Sequence, residues 1–370
     1  MSKVRMSPSP TQSDVALRAG VSTATVSRVL NNPESVKPKV RAWVEKVIAD
    51  LGYFPHAAAR ALASNRSRTI GAVFPTVNNE IFAAAINALE EVLSSSGYTL
   101  ILSVSNFSQE IETTQVRRLV ERGIDGLVLV GNDHSPETHA LIDQSGLPYV
   151  GLLSYDKDYE RPAIGISNRE RGRAAVNHLL TLGFRRIGMI SGYMAVNDRA
   201  RGRYSGFMDG LAEYGLRPFR DAVLEKPYTI EAAREALGEL IDSDRLPDAL
   251  LCGNDILALG VLIEAQNRGL NVPRDLSIVG FDDLPLARHF RPALTTIAVP
   301  VEETGRRAGM ALVAAINNSM PIESICLDAP LLIRGSTAPA RNAAPPGEKR
   351  SRNASSSSPL KKTRQKSAAR

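Results

Sequence analysis

The chain has 370 residues, of which 43% are hydrophobic and 23% are charged, with 27 Gly, 22 Pro and 2 Cys. These proportions are typical of a soluble globular protein, and the length predicts two or three domains. They exclude a collagen-like, a wholly disordered and a disulfide-stapled chain, and the sequence has no run of 18 apolar residues that could span a membrane. The N-terminus lacks the apolar stretch of a signal peptide, so we expect a reducing cytoplasm.

The sequence gives little support to an enzyme. Cys252 and Cys326 each stand alone in apolar surroundings, which predicts two buried thiols without a metal or redox role. The five histidines are scattered without metal-ligand spacing, and the phosphate-loop and hydrolase motifs are missing from the sequence. We therefore expect no catalytic residues, no metal and no cofactor.

The formal charge of +6 is unevenly distributed along the chain. Residues 1–68 carry a net +7, residues 69–337 a net −9 and residues 338–370 a net +8. A basic head on an acidic body indicates that the head meets a polyanion. The tail is rich in Ser, Pro, Lys and Arg, so we expect it, like residues 1–10, to be disordered. It is either a solvated extension or a non-specific DNA tether.

The head pattern predicts three short helices. Thr11 can cap a helix that runs to Ala19, a tight turn follows over residues 20–22, and a second helix covers residues 23–30. A third helix has apolar residues spaced along one face, namely Val40, Val44, Val47, Ile48 and Leu51. This is the pattern of a helix-turn-helix, whose second helix enters the major groove of DNA.

From Thr69 onward, short apolar runs alternate with helical stretches, which predicts parallel sheets with helices on both faces. The candidate strands are 69–74, 98–104, 126–130, 149–153, 163–166, 186–190, 249–251, 277–281 and 296–299. The candidate helices are 81–95, 111–122, 169–182, 200–214, 230–241 and 256–268. Glycines suited to a left-handed helix end follow many helical stretches: Gly97, Gly123, Gly146, Gly183, Gly215 and Gly269.

A series of ordered motifs resembles the DNA-binding head, hinge and first core strand of the lactose-repressor (LacI-type) family. The motifs are Asp14-Val15-Ala16, Ala19-Gly20-Val21-Ser22, TVSRVLN at 25–31, Leu51-Gly52-Tyr53, Ala59-Arg60-Ala61-Leu62 and Thr69-Ile70-Gly71. The resemblance covers roughly residues 12–337. It implies an α/β chain with a small all-helical helix-turn-helix head and a two-lobed, periplasmic-binding-protein-like core of parallel sheets flanked by helices. The implied boundaries are head 11–55, hinge and linker 56–68, core 69–337 and tail 338–370.

The resemblance also assigns DNA contacts. Thr23 and Ala24 occupy the variable base-reading positions, and Arg28 is the arginine that can bind a guanine through two hydrogen bonds. Ala59 lies in the hinge, and Leu62 holds the place of a leucine that wedges into the operator, although it could also be an ordinary linker residue. Phosphate or sugar contacts are assigned to Ser22, Thr25, Ser27 and Asn31.

The core of this family binds small ligands between its lobes, at the carboxyl ends of strands. The matching positions here are Ile81, Phe82, Arg203, Asn254 and Asp282. Together they supply the donors, acceptors and aromatic face that a sugar requires. Other roles stay open at this point: Asn254 and Asp282 could cap helices, Phe82 could belong to the core, and Arg203 could be a solvated helix residue.

Some positions depart from the family pattern, and each departure puts the local contact in doubt. His56 stands where Asn is usual, Lys37 where a helix-capping Ser is usual, and Glu80 where Pro is usual. Ser167-Asn168 replaces the more frequent Asp-Asn.

We therefore expect a sequence-specific DNA-binding regulator, a repressor by resemblance, whose operator affinity is controlled by a small carbohydrate or sugar acid. The arginines near Arg203 leave an anionic ligand open. We expect a homodimer on a pseudo-palindromic operator, in the bacterial cytoplasm and on the nucleoid when bound, with no membrane partner. The tail lacks the leucine heptads of tetrameric members. The alternatives are the same fold regulated by a purine or a protein co-repressor, and a sugar-binding transport receptor.

Overall fold

The computed structural model describes residues 10–54 and 66–341. The predictions for residues 1–9, for the hinge with His56, Ala59 and Leu62, and for the tail beyond residue 341 lie outside the described residues. None of the helices in the described ranges is long and apolar enough to cross a membrane.

The head contains the predicted helix-turn-helix, with α1 at Gln12–Ala19, α2 at Thr23–Asn31 and α3 at Pro38–Leu51. Thr11 and Asp14 form a reciprocal capping box at the start of α1. Gly20 ends α1 with φ 66°, and Ser22 caps α2 by accepting a hydrogen bond from the Thr25 N–H. Lys37 precedes α3 without a side-chain cap, as its departure from the usual Ser implies. The head core consists of Val15, Ala16, Ala19, Val26, Val29, Val44, Val47 and Tyr53.

The first lobe of the core, here called the N-lobe, has a sheet with strand order β11-β5-β4-β3-β1-β2, all parallel. Ile70 of β1 lies opposite Leu100 on one side and Gly126 on the other. Its strands are β1 Thr69–Phe74, β2 Thr99–Val104, β3 Gly126–Val130, β4 Tyr149–Leu152, β5 Ala163–Gly165 and β11 Ile325–Cys326. Its helices are α4 Glu80–Ser95, α5 Gln109–Glu121, α6 Pro136–Ser145 and α11 Val301–Asn318.

The second lobe, here called the C-lobe, has strand order β12-β10-β9-β8-β6-β7. Its strands are parallel, as predicted, except the two-residue edge strand β12, which runs antiparallel to β10. The strands are β6 Ile187–Ser191, β7 Val223–Glu225, β8 Ala249–Cys252, β9 Ser277–Asp282, β10 Thr295–Ala298 and β12 Leu331–Leu332. The helices are α7 Asn168–Thr181, α8 Asp198–Glu213, α9 Ile230–Asp242 and α10 Asp255–Asn267.

The chain passes between the lobes three times: between β5 and α7, between β10 and α11, and between β11 and β12. Each sheet lies between apolar helices, and large side chains such as Phe74, Phe207 and Phe281 are fully buried. The loops that follow the parallel strands meet where the two lobes face each other. This arrangement places the strand ends, rather than the helices' outer faces, around the cleft between the lobes.

The structure confirms the predicted strand–helix alternation and adds elements that the sequence pattern did not reveal. The six helix-ending glycines all have positive φ. Strands β7, β11 and β12 were not predicted, because segments of two or three residues have no measurable period. Helices α6 and α11, of 10 and 18 residues, were also not predicted, and their length does not explain it. Cys252 is buried as expected, but the prediction for Cys326 is wrong. Cys326 is exposed because it ends the two-residue edge strand β11.

Candidate functional site

The recognition helix α2 presents its polar side to solvent. Val26 and Val29 are buried in the head core, whereas Ser22, Thr23, Ala24, Arg28 and Asn31 are exposed. Thr25 and Ser27 are half-buried. Of the seven described residues predicted to contact DNA, five are therefore exposed to solvent and two are half-buried.

Two pairs of these side chains hold each other in place. The Ser22 and Thr25 hydroxyl oxygens are 3.0 Å apart, and Asn31 Nδ2 donates to Ser27 Oγ at 3.2 Å. Arg28 makes no side-chain hydrogen bond or ion pair with any described residue. It is therefore the long, always charged donor that this helix leaves available to a base edge.

The second candidate site is a cavity between the two lobes. It is narrow, about 40 Å³, which exceeds the space that one water molecule needs. All five residues predicted to bind a ligand line it: Ile81, Phe82, Arg203, Asn254 and Asp282. The structure therefore brings together, from four separate segments of the chain, the side chains that were selected as family positions.

Arg203 is the centre of this cavity and is not a solvated helix residue. Its side chain is only 11% exposed, and its Nε donates to Asn168 Oδ1 at 3.0 Å. Its Nη1 donates to the Gly253 carbonyl oxygen, and its guanidinium lies 3.9 Å from the centroid of the Phe281 ring. The hydrogen bonds use two of the five guanidinium N–H groups, and the others remain available as donors.

The Arg-x-x-Gly-Phe motif fixes the position of α8 as well as its arginine. A Cβ at Gly206 would overlap the Arg169 carbonyl oxygen of α7, so a larger residue would force the two helices apart. Phe207 of the same motif is fully buried beneath them. Arg203 is thus held by backbone packing, one turn away from this close approach.

Asp282 ends β9 and offers an unused acceptor to the cavity. It caps no helix, its Oδ1 is buried without a hydrogen-bond partner, and that atom is 3.8 Å from Arg203 Nη2. Burial raises the pKa of the Asp282 carboxyl well above its usual value, against the opposing charge of Arg203. A buried polar atom without a partner is costly, so this oxygen is suited to a ligand hydroxyl.

Asn254 and Phe82 each combine a structural position with a place in the cavity wall. Asn254 Oδ1 accepts a hydrogen bond from the Leu257 N–H at 3.0 Å and so caps α10, which leaves its amide N–H₂ for other partners. Phe82 packs edge-on against Phe74 with ring centroids 5.9 Å apart, within the N-lobe core. The capping role of Asn254 and the core role of Phe82 are both present.

Other residues that line the cavity were not selected from the sequence. Asn168, mentioned there only as a departure, does not line the cavity but holds residues that do: its Oδ1 accepts from Arg203 Nε, and its Nδ2 donates across the lobes to the Leu153 carbonyl oxygen at 3.1 Å. The remaining lining residues are Asn79, Phe107, Leu153, Ile166, Asn197, Arg199, Tyr228 and Val299. The signal that could have found most of them is their place at or just after a strand end.

The titratable side chains of the described ranges form no cluster that could hold a metal ion. The cavity wall itself offers hydrogen-bonding groups on Arg203, Asn254 and Asp282 and the aromatic rings of Phe82, Phe107 and Tyr228. A groove-reading helical head joined in one chain to a two-lobed binding cleft defines a ligand-responsive DNA-binding regulator.

Comparisons with known proteins agree with this class. Residues 11–56 match the family of bacterial regulatory proteins of the lacI type, and residues 176–337 match the periplasmic binding protein-like domain. Catabolite control protein A of Priestia megaterium is 34% identical over 318 residues, which cover 86% of this chain and 95% of that protein. The chain belongs to the lacI family.

Solved structures give the same result. The Lac repressor dimer bound to operator and the anti-inducer ONPF is 27% identical with a TM-score of 0.80, and the match covers 89% of this chain and 99% of that one. The complex of the transcriptional regulator CelR with cellobiose is 28% identical with a TM-score of 0.65, covering 88% of this chain and 99% of that one.

Proposed function

We propose that this protein is a transcriptional repressor whose operator affinity is controlled by a neutral sugar bound between the lobes. The observation that carries the proposal is the convergence of five preselected residues on one interlobe cavity. The free Arg28 on the recognition helix supplies the DNA-reading half of the function.

The charge balance of the cavity favours a neutral ligand over a sugar acid. Arg199 is paired with Asp198 at 2.7 Å, and Arg203 is bound by Asn168 and the Gly253 carbonyl and lies near Asp282. Each guanidinium is therefore already engaged by protein acceptors, and neither offers an anion an unshared positive charge. Hydroxyl groups, in contrast, can donate to Asp282 Oδ1 and accept from Arg203.

The aromatic residues of the cavity keep a purine as the second candidate. Phe82, Phe107 and Tyr228 all line the space, and an aromatic face suits either the C–H face of a sugar or the plane of a base. The polar groups of Arg203 and Asp282 favour the sugar, since they offer donors and an acceptor to several hydroxyl groups.

We propose further that two copies of the chain bind a pseudo-palindromic operator. The Lac repressor is described as a dimer on its operator, and two-fold symmetry of the protein requires matching half-sites on the DNA. In this scheme residues 56–68 act as a hinge, Leu62 as the wedge at the operator centre, and the protein works in the cytoplasm, on the nucleoid when bound.

Thermal unfolding of the full chain with a ligand panel tests the effector. The panel contains neutral sugars, sugar acids, sugar phosphates and purines. A ligand at 100 times its dissociation constant adds about 2.7 kcal/mol to the stability of the folded state. We expect a neutral sugar to raise Tm, and the shift to vanish in Asp282→Ala, which removes the buried acceptor. A shift produced only by purines would replace the sugar by the second candidate, and one produced only by anionic compounds would refute the charge argument.

A further inference from the structure

A buried contact joins the two lobes at one mouth of the cleft. On the N-lobe side it consists of the loop after β3, residues 131–134, and on the C-lobe side of the first turn of α8. Asp198 Oδ2 accepts a hydrogen bond from the Asn132 backbone N–H at 3.0 Å. This bond crosses from one lobe to the other without using any of the three connecting segments.

The second oxygen of the same carboxylate holds a residue of the cavity wall. Asp198 Oδ1 accepts from Arg199 Nη1 at 2.7 Å, and the two side chains are 13% and 8% exposed. Burial by itself would raise the pKa of Asp198, but the Arg199 charge and the Asn132 N–H outweigh it and lower the pKa. The carboxylate is therefore charged at neutral pH and holds both partners.

Hydrogen bonds anchor the N-lobe loop, residues 131–134, to the rest of its lobe. His134 is buried, with Nδ1 2.7 Å from Glu112 Oε1 and Nε2 3.1 Å from the Gly131 carbonyl oxygen. Gly131 has φ 90°, and a Cβ there would overlap Arg199 Nη1 and Asp198 Oδ1. Position 131 must therefore be glycine for the lobes to make this contact.

A neighbouring ion pair and the opposite mouth of the cleft are different in character. Arg201 and Asp133 also join the lobes, at 2.6 Å, but their side chains are 45% and 37% exposed, and exposed pairs contribute little. At the opposite mouth, Asp283 pairs with Arg288 and Arg334 of its own lobe. The buried Asp198 contact thus fastens one side of the cleft.

We propose that Asp198 is the positioning residue that couples ligand contact with Arg199 to closure of the lobes. The Asp198 carboxylate binds both Arg199 of the cavity wall and the Asn132 backbone N–H of the opposite lobe. A ligand that reorients Arg199 therefore alters the hydrogen bond between Asp198 and Asn132. The coupling to DNA rests on the proposed function, but the lobe contact itself does not.

The test measures lobe separation in the full chain without ligand or DNA. Spin labels are placed on the exposed positions Ala140 of α6 and Glu235 of α9, in a Cys326→Ser background diluted with unlabelled protein. Pulsed electron paramagnetic resonance then compares Asp198→Ala, Gly131→Ala and the control Asp209→Ala. Asp209 is also an α8 aspartate with an arginine partner, Arg169 at 2.6 Å, but that pair lies within the C-lobe.

We expect Asp198→Ala and Gly131→Ala to lengthen and broaden the interlobe distance, and Asp209→Ala to leave it unchanged. Hydrogen exchange at the Asn132 amide should become at least about tenfold faster in Asp198→Ala, because it loses a hydrogen bond to a charged acceptor. Asp198→Asn, which keeps an acceptor for Asn132, should restore part of the protection. Wild-type distances and exchange in Asp198→Ala would overturn the proposal, even if Gly131→Ala failed to fold.

A second readout tests the coupling. Without ligand, Asp198→Ala and Gly131→Ala should shift operator affinity in the same direction by about fivefold or more, while Asp209→Ala stays within about twofold. Opposite or absent shifts in a protein that binds its operator would refute the coupling. A wild-type protein that binds no DNA would instead count against the proposed function, and the distance measurement would still decide the lobe contact.

Discussion

The recognition helix and the interlobe cleft solve the problem of recognition in opposite ways. On α2 the polar side chains are exposed and lie within one stretch of nine residues, and Arg28 is left without a partner among the described residues. In the cleft, Arg203 and Asp282 are buried and come from distant segments. The helix meets a ligand that brings its own strong charge, whereas under the proposed function the cleft replaces the water around a small neutral molecule. The residues of the first site can therefore be predicted from a short stretch of sequence. The second site is formed only when the fold brings distant segments together.

Removing Arg203 should have the largest effect on the cleft side of this comparison. Arg203→Met leaves the buried Asp282 without its neighbouring charge, and truncating one partner of a buried charged pair costs about 2–5 kcal/mol. We expect ligand affinity, measured by calorimetry with the sugar found in the thermal panel, to fall at least about 30-fold. Operator affinity without ligand should stay within a few-fold.

Arg169→Met is the matched control, since Arg169 is 66% exposed and pairs with Asp209 outside the cavity. A ligand affinity that falls equally in both variants would show that Arg203 acts through general stability and not through contact.

A buried carboxyl group in the C-lobe also predicts that folding stability depends on pH, in a way that the head does not share. Burial raises the pKa of Asp255, which begins α10 and accepts from Thr296 Oγ1 at 2.6 Å, to about 7. Because the folded-state pKa is above the unfolded value, the folded state binds this proton more tightly. Stability relative to Asp255→Asn should therefore fall as pH rises from about 4 to 7, by up to about 1.4 kcal/mol per pH unit.

Urea unfolding of both proteins at several pH values measures this difference. Asp143→Asn is the control with the opposite sign, because the hydrogen bonds from Arg161 lower the pKa of exposed Asp143. Its contribution is present above the unfolded pKa and is lost as pH falls below about 4. A stability difference for Asp255→Asn that does not change with pH would contradict the burial argument.

On the head side, Arg28→Ala should weaken operator binding by about 1–3 kcal/mol, the contribution of a good bidentate contact with a base. The loss on random DNA should be much smaller, because non-specific binding depends on phosphate contacts. Fluorescence anisotropy with operator and scrambled duplexes measures both affinities. Equal losses on the two duplexes would remove the base-reading role of Arg28.

The smallest effect concerns the basic tail. Residues 338–341 contact the C-lobe, where Arg341 pairs with Asp275, so the deletion of the tail begins at residue 342 and removes a net charge of +7. If the tail contacts DNA, the slope of log affinity against log salt for non-specific duplex should become shallower, since fewer counterions are released. An unchanged slope would identify the tail as a passive extension. Operator specificity at a fixed salt concentration should stay the same in either case.

The sequence predicted the head almost completely, because its helices, turn and cap are specified within about 40 residues. Thr11, Gly20 and Ser22 take their predicted positions for local reasons of capping and backbone geometry. The core alternation was also visible, apart from helices α6 and α11 and edge strands too short to have a period. Cys326 was misplaced because an apolar neighbourhood in sequence does not distinguish an edge strand from a buried one.

The cleft could be predicted only in part. Ile81, Phe82, Arg203, Asn254 and Asp282 were found because their positions match family motifs, and they line one cavity. Arg199, Tyr228 and the contact from Asp198 to Asn132 were not found. They depend on how the two lobes face each other, which the three connecting segments determine. Neither the periodicity of the sequence nor the spacing of its motifs predicts this arrangement.

The central claim is that occupancy of the cleft changes how tightly the head holds its operator. The most direct measurement is an anisotropy titration of the full chain on an operator selected from random duplexes, with and without the sugar that stabilises the protein. We predict that the sugar shifts the dissociation constant by about 5- to 150-fold, and that Arg203→Met abolishes the shift. A protein that binds the sugar and the operator with no effect of one on the other would contradict the account.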